Sequence, residues 1–294
     1  MAVASRIEEF GPVTRLHVSR AVAQRPLYWT SLYHWGNVLV DCGARSGRAA
    51  LERFLIDHPV TDVLLTHGHE DHVGNADLLA GMGATVHAPE PTVATLRAPS
   101  KVPFYRWAVW GNRAPAAARA LPPRVEVDGR RFRVVHTPGH CRDHVSFFEE
   151  ETGWLFAGDA YLGRMRVARP DENVPQIMAS LELMQALGPE RLFPAHGVAI
   201  DRRPGEALSD TLQYLEDLQA RARTLQGRGK SVKAIAKELL GPEPFLSYVS
   251  GGEFSARRLI ESLLFDEAVP ERELPSPFAP PRRSGGGPVR ADPN

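Results

Sequence analysis

Short apolar runs alternate with polar turns and helix-period stretches over the first 200 residues. Ser31–Gly43 (SLYHWGNVLVDCG) reads as a strand ending at an acidic residue and a glycine turn. Val60–His72 (VTDVLLTHGHEDH) reads as a buried strand, Val63–Leu65, running straight into a histidine-rich loop. Ala84–Glu90 gives another short strand. Val125–His140 predicts a hairpin turned at Asp128-Gly129, a strong hairpin dipeptide, and His144–Ala160 a second one turned near Thr152-Gly153. Arg191–Gly197 is a last strand with a glycine-ended loop. Helix-period stretches lie near Gly47–Asp57, Asn75–Met82 and Val174–Leu187. Strands interleaved with helices predict α/β or α+β layering.

Two regions depart from this rhythm. Glu90–Arg124 is rich in Pro and Ala and holds Phe104, Tyr105, Trp107 and Trp110 within seven residues. A connection that long inside a compact domain is a lid or binding element. Its aromatics serve either as the core of a lid or as an apolar wall for substrate. Beyond His196, Gly205–Gln226 carries Leu208, Leu212, Leu215 and Leu225 near helical spacing and stops at Gly227 and Gly229. Ser231–Leu240 and Ser255–Phe265 predict two more short amphipathic helices. Val269–Asn294, with seven prolines and a Ser-Gly-Gly-Gly run, predicts a disordered, dispensable tail. The expected division is a catalytic domain over 1–204 containing the 90–124 insertion, a helical region over 205–268, and the tail over 269–294.

Composition then narrows the function classes. Lys+Arg and Asp+Glu number 35 each, so the formal net charge is zero, which counts against a nucleic-acid or anionic-membrane partner. No stretch approaches the ~20 apolar residues needed to cross a bilayer. Met1–Arg20 has no apolar run of signal-peptide length. Two cysteines, Cys42 and Cys141, make no disulfide framework. These features predict a cytoplasmic protein acting on a small molecule, with homo-oligomerisation left open.

The densest chemistry is His67-Gly68-His69-Glu70-Asp71-His72 at the end of a strand. Imidazole nitrogen and carboxylate oxygen both suit Zn²⁺, and also Mn²⁺ or Fe²⁺. In a tight loop, His67 and His69 can point to one side while Asp71 and His72 turn to the other, so one motif can serve two neighbouring ions. His140 in Thr-Pro-Gly-His, Asp159 in Phe-Ala-Gly-Asp and His196 in Phe-Pro-Ala-His-Gly each follow a predicted strand, where a rigid element can aim the side chain. Asp41 reads equally as a turn carboxylate or as a hydrogen-bond acceptor behind a ligand histidine. Asp143 and His144 read as turn or supporting residues, Cys141 as a small buried side chain, and His34, His58, His87 and His136 as structural.

THGHEDH, TPGH, AGD and PAHG, in this order and at these separations, resemble the metallo-β-lactamase superfamily over about residues 10–200, most closely its glyoxalase II and lactonase branch. The resemblance implies an α+β fold, a four-layer αββα sandwich, here with a C-terminal helical extension. It implies a first metal held by His67, His69 and His140, a second by Asp71, His72 and His196, and Asp159 bridging both. Two divalent ions, zinc foremost with iron or manganese as alternatives, imply a bridging hydroxide that cleaves an ester, thioester or lactone of a partly apolar substrate. Asp71 is the expected catalytic carboxylate, orienting that hydroxide or passing a proton to the leaving group. In lactonase relatives a tyrosine near the position of Tyr161 hydrogen-bonds the substrate carbonyl, so Tyr161 joins Phe104, Tyr105, Trp107 and Trp110 as an expected substrate contact.

Other chemistries share these motifs. A metal-dependent nuclease is disfavoured by the balanced charge. A β-lactamase is disfavoured because those enzymes generally lack the bridging aspartate that Asp159 supplies. An iron-dependent sulfur dioxygenase needs one iron per chain, so metal content separates it from a dinuclear hydrolase. A flavo-diiron oxygen reductase needs a flavodoxin domain, and the sequence after Gly205 shows no phosphate-binding loop. A non-catalytic binding module would not need all seven ligand positions filled.

Overall fold

The computed structural model describes residues 2–22 and 25–264; the tail expected over 269–294 lies outside them. The first of two sheets contains β1 (Ala2–Phe10), β2 (Val13–Val22), β3 (Arg25–Pro26), β4 (Thr30–Trp35), β5 (Val38–Val40), β6 (Asp62–Leu64), β7 (Thr85–Ala88) and β8 (Arg119–Ala120). Its order is β1-β2-β4-β5-β6-β7-β8, with β3 on β2; pairing is antiparallel up to β5 and parallel from β5 to β8. The second sheet contains β9 (Arg124–Val127), β10 (Arg130–His136), β11 (Val145–Glu149), β12 (Trp154–Gly158) and β13 (Arg191–Pro194). It is antiparallel except for the β12–β13 pair.

Alternating side chains explain why the sheets stack. In β4, Leu32 faces outward toward α1 (Arg48–Phe54), while Tyr33 and Trp35 face the second sheet. In β12, Phe156 faces the first sheet and Leu155 and Ala157 face away. The dry layer between the sheets is aromatic, with Tyr33, Trp35, Phe132, Phe147, Phe156 and Phe193 all buried. A strand buried on both faces needs a cover on each outer face. The outer face of the first sheet is covered by α1, α3 (Ala76–Gly81) and α4 (Glu90–Leu96). That of the second is covered by α6 (Val174–Ala186), α7 (Pro204–Gly227), α8 (Val232–Leu240) and α10 (Ala256–Leu264). The result is the expected αββα order with a helical C-terminal region. That region shares one apolar core with β12 and α6, through Leu155, Ala157, Ile177 and Leu181.

Three local readings change. Ser31–Gly43 is two strands, because Gly36 takes a left-handed φ of +64° and reverses the chain into a β4–β5 hairpin. Asn37 is held in that turn by Asp128, through its backbone N–H at 3.2 Å and its amide at 3.1 Å. Residues 2–22 form the β1–β2 hairpin, turned at Gly11, although charges at Arg6, Glu8, Glu9 and Arg15 obscure its strand period. Glu90–Arg124 is only partly an insertion. α4 buries Thr92 and Leu96 in the core, and β8 extends the first sheet beside β7, leaving α5 (Phe104–Trp110) as the inserted piece, tied to the His67–His72 loop through Arg106. The remaining short helices are α2 (Glu70–Val73) and α9 (Phe245–Val249).

Candidate metal centre

Each ligand-type residue stands just beyond a strand end. Asp41 follows β5, the His67–His72 loop follows β6 and opens α2, His140 follows β10, Asp159 follows β12 and His196 follows β13. Backbone bonds lock these ends together, within the first sheet and across to the second. Val145 N–H donates to Thr66 O at 2.9 Å, Ser31 N–H to Ala195 O at 2.8 Å, and Cys42 N–H to His72 O at 2.8 Å. Gly158 permits the close approach. Its φ is +53°, and a Cβ there would meet His144 Nε2 at 2.7 Å and Thr66 Cβ at 3.0 Å.

The side chains form two groups joined by one carboxylate. His67 Nε2 lies 2.8 Å from His69 Nδ1, which lies 2.9 Å from His140 Nε2. Asp159 Oδ2 is 3.2 Å from His140 Nε2. On the other side, Asp159 Oδ1 is 3.4 Å from His72 Nε2 and 3.3 Å from His196 Nε2. Asp71 closes this second group, 3.8 Å from His72 Nε2 and 3.4 Å from His196 Nε2. All seven expected ligand positions therefore converge, and the two oxygens of Asp159 face different groups.

The rings are aimed from behind. Asp41 Oδ2 accepts from His72 Nδ1 at 2.7 Å, Glu172 Oε1 from His140 Nδ1 at 2.8 Å, and the Trp29 carbonyl from His196 Nδ1 at 2.7 Å. Each bond leaves Nε2 turned toward the cluster, the arrangement that fixes tautomer and orientation in metal-binding histidines. Asp41 adopts a left-handed φ of +58° and also accepts from the Thr66 backbone and hydroxyl, so it braces the loop as well as the ring. His144 accepts from Asp159 N–H at 3.0 Å and pairs with Thr137 at 2.9 Å, which fixes the Asp159 backbone.

Charge is divided sharply between the two groups. Burial, reinforced by neighbouring imidazoles, holds His67 well below the usual histidine range; burial and the Arg169 guanidinium do the same to His69. Burial also opposes charging of His72 and His196, but Asp159 and the other carboxylates outweigh it and raise both well above that range. Burial pushes Asp71 up, yet His72 and His196 bring it down to about 2. His67 and His69 thus offer neutral nitrogen lone pairs, whereas His72 and His196 are drawn toward the proton-bearing form by Asp159 and Asp71.

The donor set fits divalent cations. His67, His140 and Asp159 present ligand atoms within 4.8 Å of one another, as do Asp71, His72 and His196. His72 Nε2 and Asp159 Oδ1 are buried with no hydrogen-bond partner among the described residues, so both retain bonding capacity directed into the cluster. Cys141 Sγ also lies within 4.8 Å of ligand atoms of His67 and His69.

The expected substrate contacts separate. Trp110 is 9% exposed and meets Tyr28 edge-on at 5.9 Å, and Tyr28 in turn packs 4.6 Å from the His196 ring. Phe104 and Trp107 are 78% and 44% exposed and pack on each other. Tyr105 is half-buried, its hydroxyl without a partner among the described residues. Tyr161 packs against the helical core around α6 and α7. Tyr28, Trp29 and Glu172 are neighbours of the centre that carried no signal in the sequence, because each lies far along the chain from the residue it supports. Desolvation pushes Tyr28 up to about 12; His196 opposes this, and Asp159, Asp71 and Glu172 add to it, so the phenol stays protonated.

Comparison with known proteins places this geometry. The model of the metallo-beta-lactamase superfamily matches residues 35–196, more than half of the chain. The chain belongs to this superfamily. A metallo-beta-lactamase family protein from Thermus thermophilus shares the fold, with a TM-score of 0.58, 24% identity, and coverage of 85% of this chain and 90% of that one. Among curated relatives, the thioesterase pkgB of Emericella nidulans is 35% identical over 176 residues, 57% of this chain and 44% of that protein. The atrochrysone carboxyl ACP thioesterase nsrC of Aspergillus novofumigatus is 29% identical over 201 residues, 63% of this chain and 53% of that protein. The chain spans about half the length of the curated relatives it matches. No helix among the described residues is long and apolar enough to cross a membrane.

Proposed function

We propose that this member of the superfamily is a metal-dependent hydrolase that cleaves an acyl thioester. The observation carrying the reading is Asp159, whose two oxygens face two separate groups of ligand-type side chains. His67, His69 and His140 would hold one ion, Asp71, His72 and His196 the other, with Asp159 shared. Zinc is the first candidate, and manganese and iron suit the same donors. Such ions supply a water acidified to a pKa of ~7 and a Lewis acid for a carbonyl oxygen.

This chain's own groups supply orientation. Asp71, whose carboxyl His72 and His196 draw down, would accept a hydrogen bond from the attacking water and fix its direction. Asp41, Glu172 and the Trp29 carbonyl hold three imidazoles in place. The thioester is favoured over the ester or lactone on two grounds. Relatives similar to this chain are named thioesterases. A thiolate, with a pKa of about 8.5, also departs without a strong proton donor.

Purified protein loaded with zinc, manganese or iron in separate preparations tests the reading. Two metal equivalents per chain and hydrolysis of S-acyl-N-acetylcysteamines, faster than of matched oxygen esters, lactones or phosphodiesters, are expected. Asp159→Ala is expected to lose at least one ion and to reduce turnover by more than about 1,000-fold. One tightly held iron with oxygen consumption in the presence of a persulfide would replace the hydrolase reading with the dioxygenase one.

A further inference from the structure

We propose that Tyr28 is a catalytic residue: its phenol hydroxyl donates a hydrogen bond to the scissile carbonyl oxygen, and its ring forms, with Trp110, the wall along which the acyl group lies. Tyr28 belongs to the segment between β3 and β4, which is tied down on both sides. Leu27 N–H donates to Arg20 O at 2.8 Å, Tyr28 N–H to Ser19 Oγ at 3.1 Å, and the next carbonyl, that of Trp29, accepts from His196 Nδ1. The backbone thus holds the Tyr28 ring on His196, 4.6 Å between centroids and tilted by 56°. The Tyr28 ring also meets that of Trp110 in a T-shaped contact at an interplanar angle of 87°.

The hydroxyl is uncommitted. Two other tyrosines spend theirs on structure, Tyr33 donating to Pro194 O at 2.6 Å and Tyr214 to Met165 O at 2.8 Å. The Tyr28 hydroxyl has no hydrogen-bond partner among the described residues, and 39% of the residue stays open to solvent. A phenol whose ring is held beside the candidate metal centre is suited to donate to an oxygen that gains negative charge. Tyr161, the tyrosine expected from the resemblance, packs its ring against the helical core around α6 and α7.

The choice of probes rests on the thioesterase reading. Wild type, Tyr28→Phe, Tyr28→Ala and Tyr161→Phe are compared with acetyl, hexanoyl and decanoyl N-acetylcysteamine. Tyr28→Phe keeps the ring and removes the donor; its kcat should fall about 10- to 100-fold, with KM raised no more than several-fold and metal content unchanged. Tyr28→Ala should also raise KM, more for decanoyl than for acetyl. Calorimetry with the ketone in which a methylene replaces the thioester sulfur gives a readout separate from turnover, and Tyr28→Phe should bind it several-fold more weakly. An unchanged kcat in Tyr28→Phe, loss of metal in that variant, or the kcat loss appearing in Tyr161→Phe instead overturns the proposal. If wild type cleaves no thioester, the thioesterase reading fails, and the ketone affinities alone decide Tyr28, equal values overturning it.

Discussion

The His67–His72 loop and the Phe104–Trp110 helix each gather one kind of side chain into a short stretch, and the fold treats them in opposite ways. The loop lies at the end of β6, and four of its six residues meet in one place. The helix scatters its aromatics: Trp110 is buried beside Tyr28, whereas Phe104 and Trp107 face outward. The reason is geometric. A loop held by many hydrogen bonds can bend successive residues toward a common point. A helix turns about 100° per residue, so only positions three or four apart share a face. The buried face of α5 is Arg106 and Trp110, and the residue that anchors it is the one cation in an aromatic run. Local density of a residue type is therefore evidence for a joint role in a strand-end loop and weak evidence in a helix.

The two regions are also wired together. Arg106 Nη2 donates to Glu70 Oε2 at 2.6 Å, both side chains being buried, and Glu70 sits inside the metal-type loop. Glu253 approaches the same guanidinium at 3.7 Å from the turn before α10, and the Trp110 ring lies 5.7 Å below it. Removing one partner of a buried pair leaves the other uncompensated, at a cost of ~3–5 kcal/mol. Arg106→Met should lower stability by about that amount in urea denaturation. The double variant with Glu70→Gln should recover most of the loss. An additive double variant would show that helix and loop are not coupled through this pair.

The contrast within the helix is sharpened next by truncation. Trp110→Ala removes a buried indole and should cost about 3 kcal/mol, and Trp107→Ala less than about 1 kcal/mol. If both weaken long acyl substrates more than short ones, Trp107 belongs to the acyl wall despite its exposure. If only Trp110→Ala does so, the wall ends at the Tyr28–Trp110 contact. On the loop side, Asp41→Asn keeps the shape and tolerates the left-handed φ, but it weakens the brace on His72. Metal affinity should fall about 10- to 100-fold, with Glu172→Gln acting similarly through His140. Unchanged affinity in both would mean that the loop geometry alone aims the rings.

The smallest expected effect concerns the turn that carries Glu253. Glu243 accepts from Ser255 Oγ, Ala256 N–H and Arg257 N–H at 2.8–3.0 Å, satisfying the start of α10. Partial burial pushes its carboxyl up, but these bonds outweigh it and hold the group below its ordinary value of 4.5. A depressed folded value means the stabilisation is complete above pH ~4.5 and disappears as pH falls through the folded value. Glu243→Gln should cost about 1 kcal/mol at pH 7, and the gap to wild type should close in acid. A gap independent of pH would show that the carboxylate charge contributes nothing.

Sequence and tertiary structure divided this protein along a physical line. The sequence by itself determined what short-range rules govern: the Asp128-Gly129 hairpin, the helix at Val174–Ala186, and the strand-end motifs around His67, His140, Asp159 and His196. Those motifs carry both the residue type and the turn that exposes it, so family and ligand-type positions were legible from local patterns. Strand starts near charged residues were not legible, because the β1–β2 hairpin gets its register from pairing and not from its own period. The tertiary structure alone decided which distant groups stand behind the ligand-type residues. Glu172 meets His140 across 32 residues, Trp29 meets His196 across 167, and the Tyr28 ring packs on that of His196. A supporting hydrogen bond or ring contact needs only proximity in space, and the chain sets that proximity through the packing of two sheets.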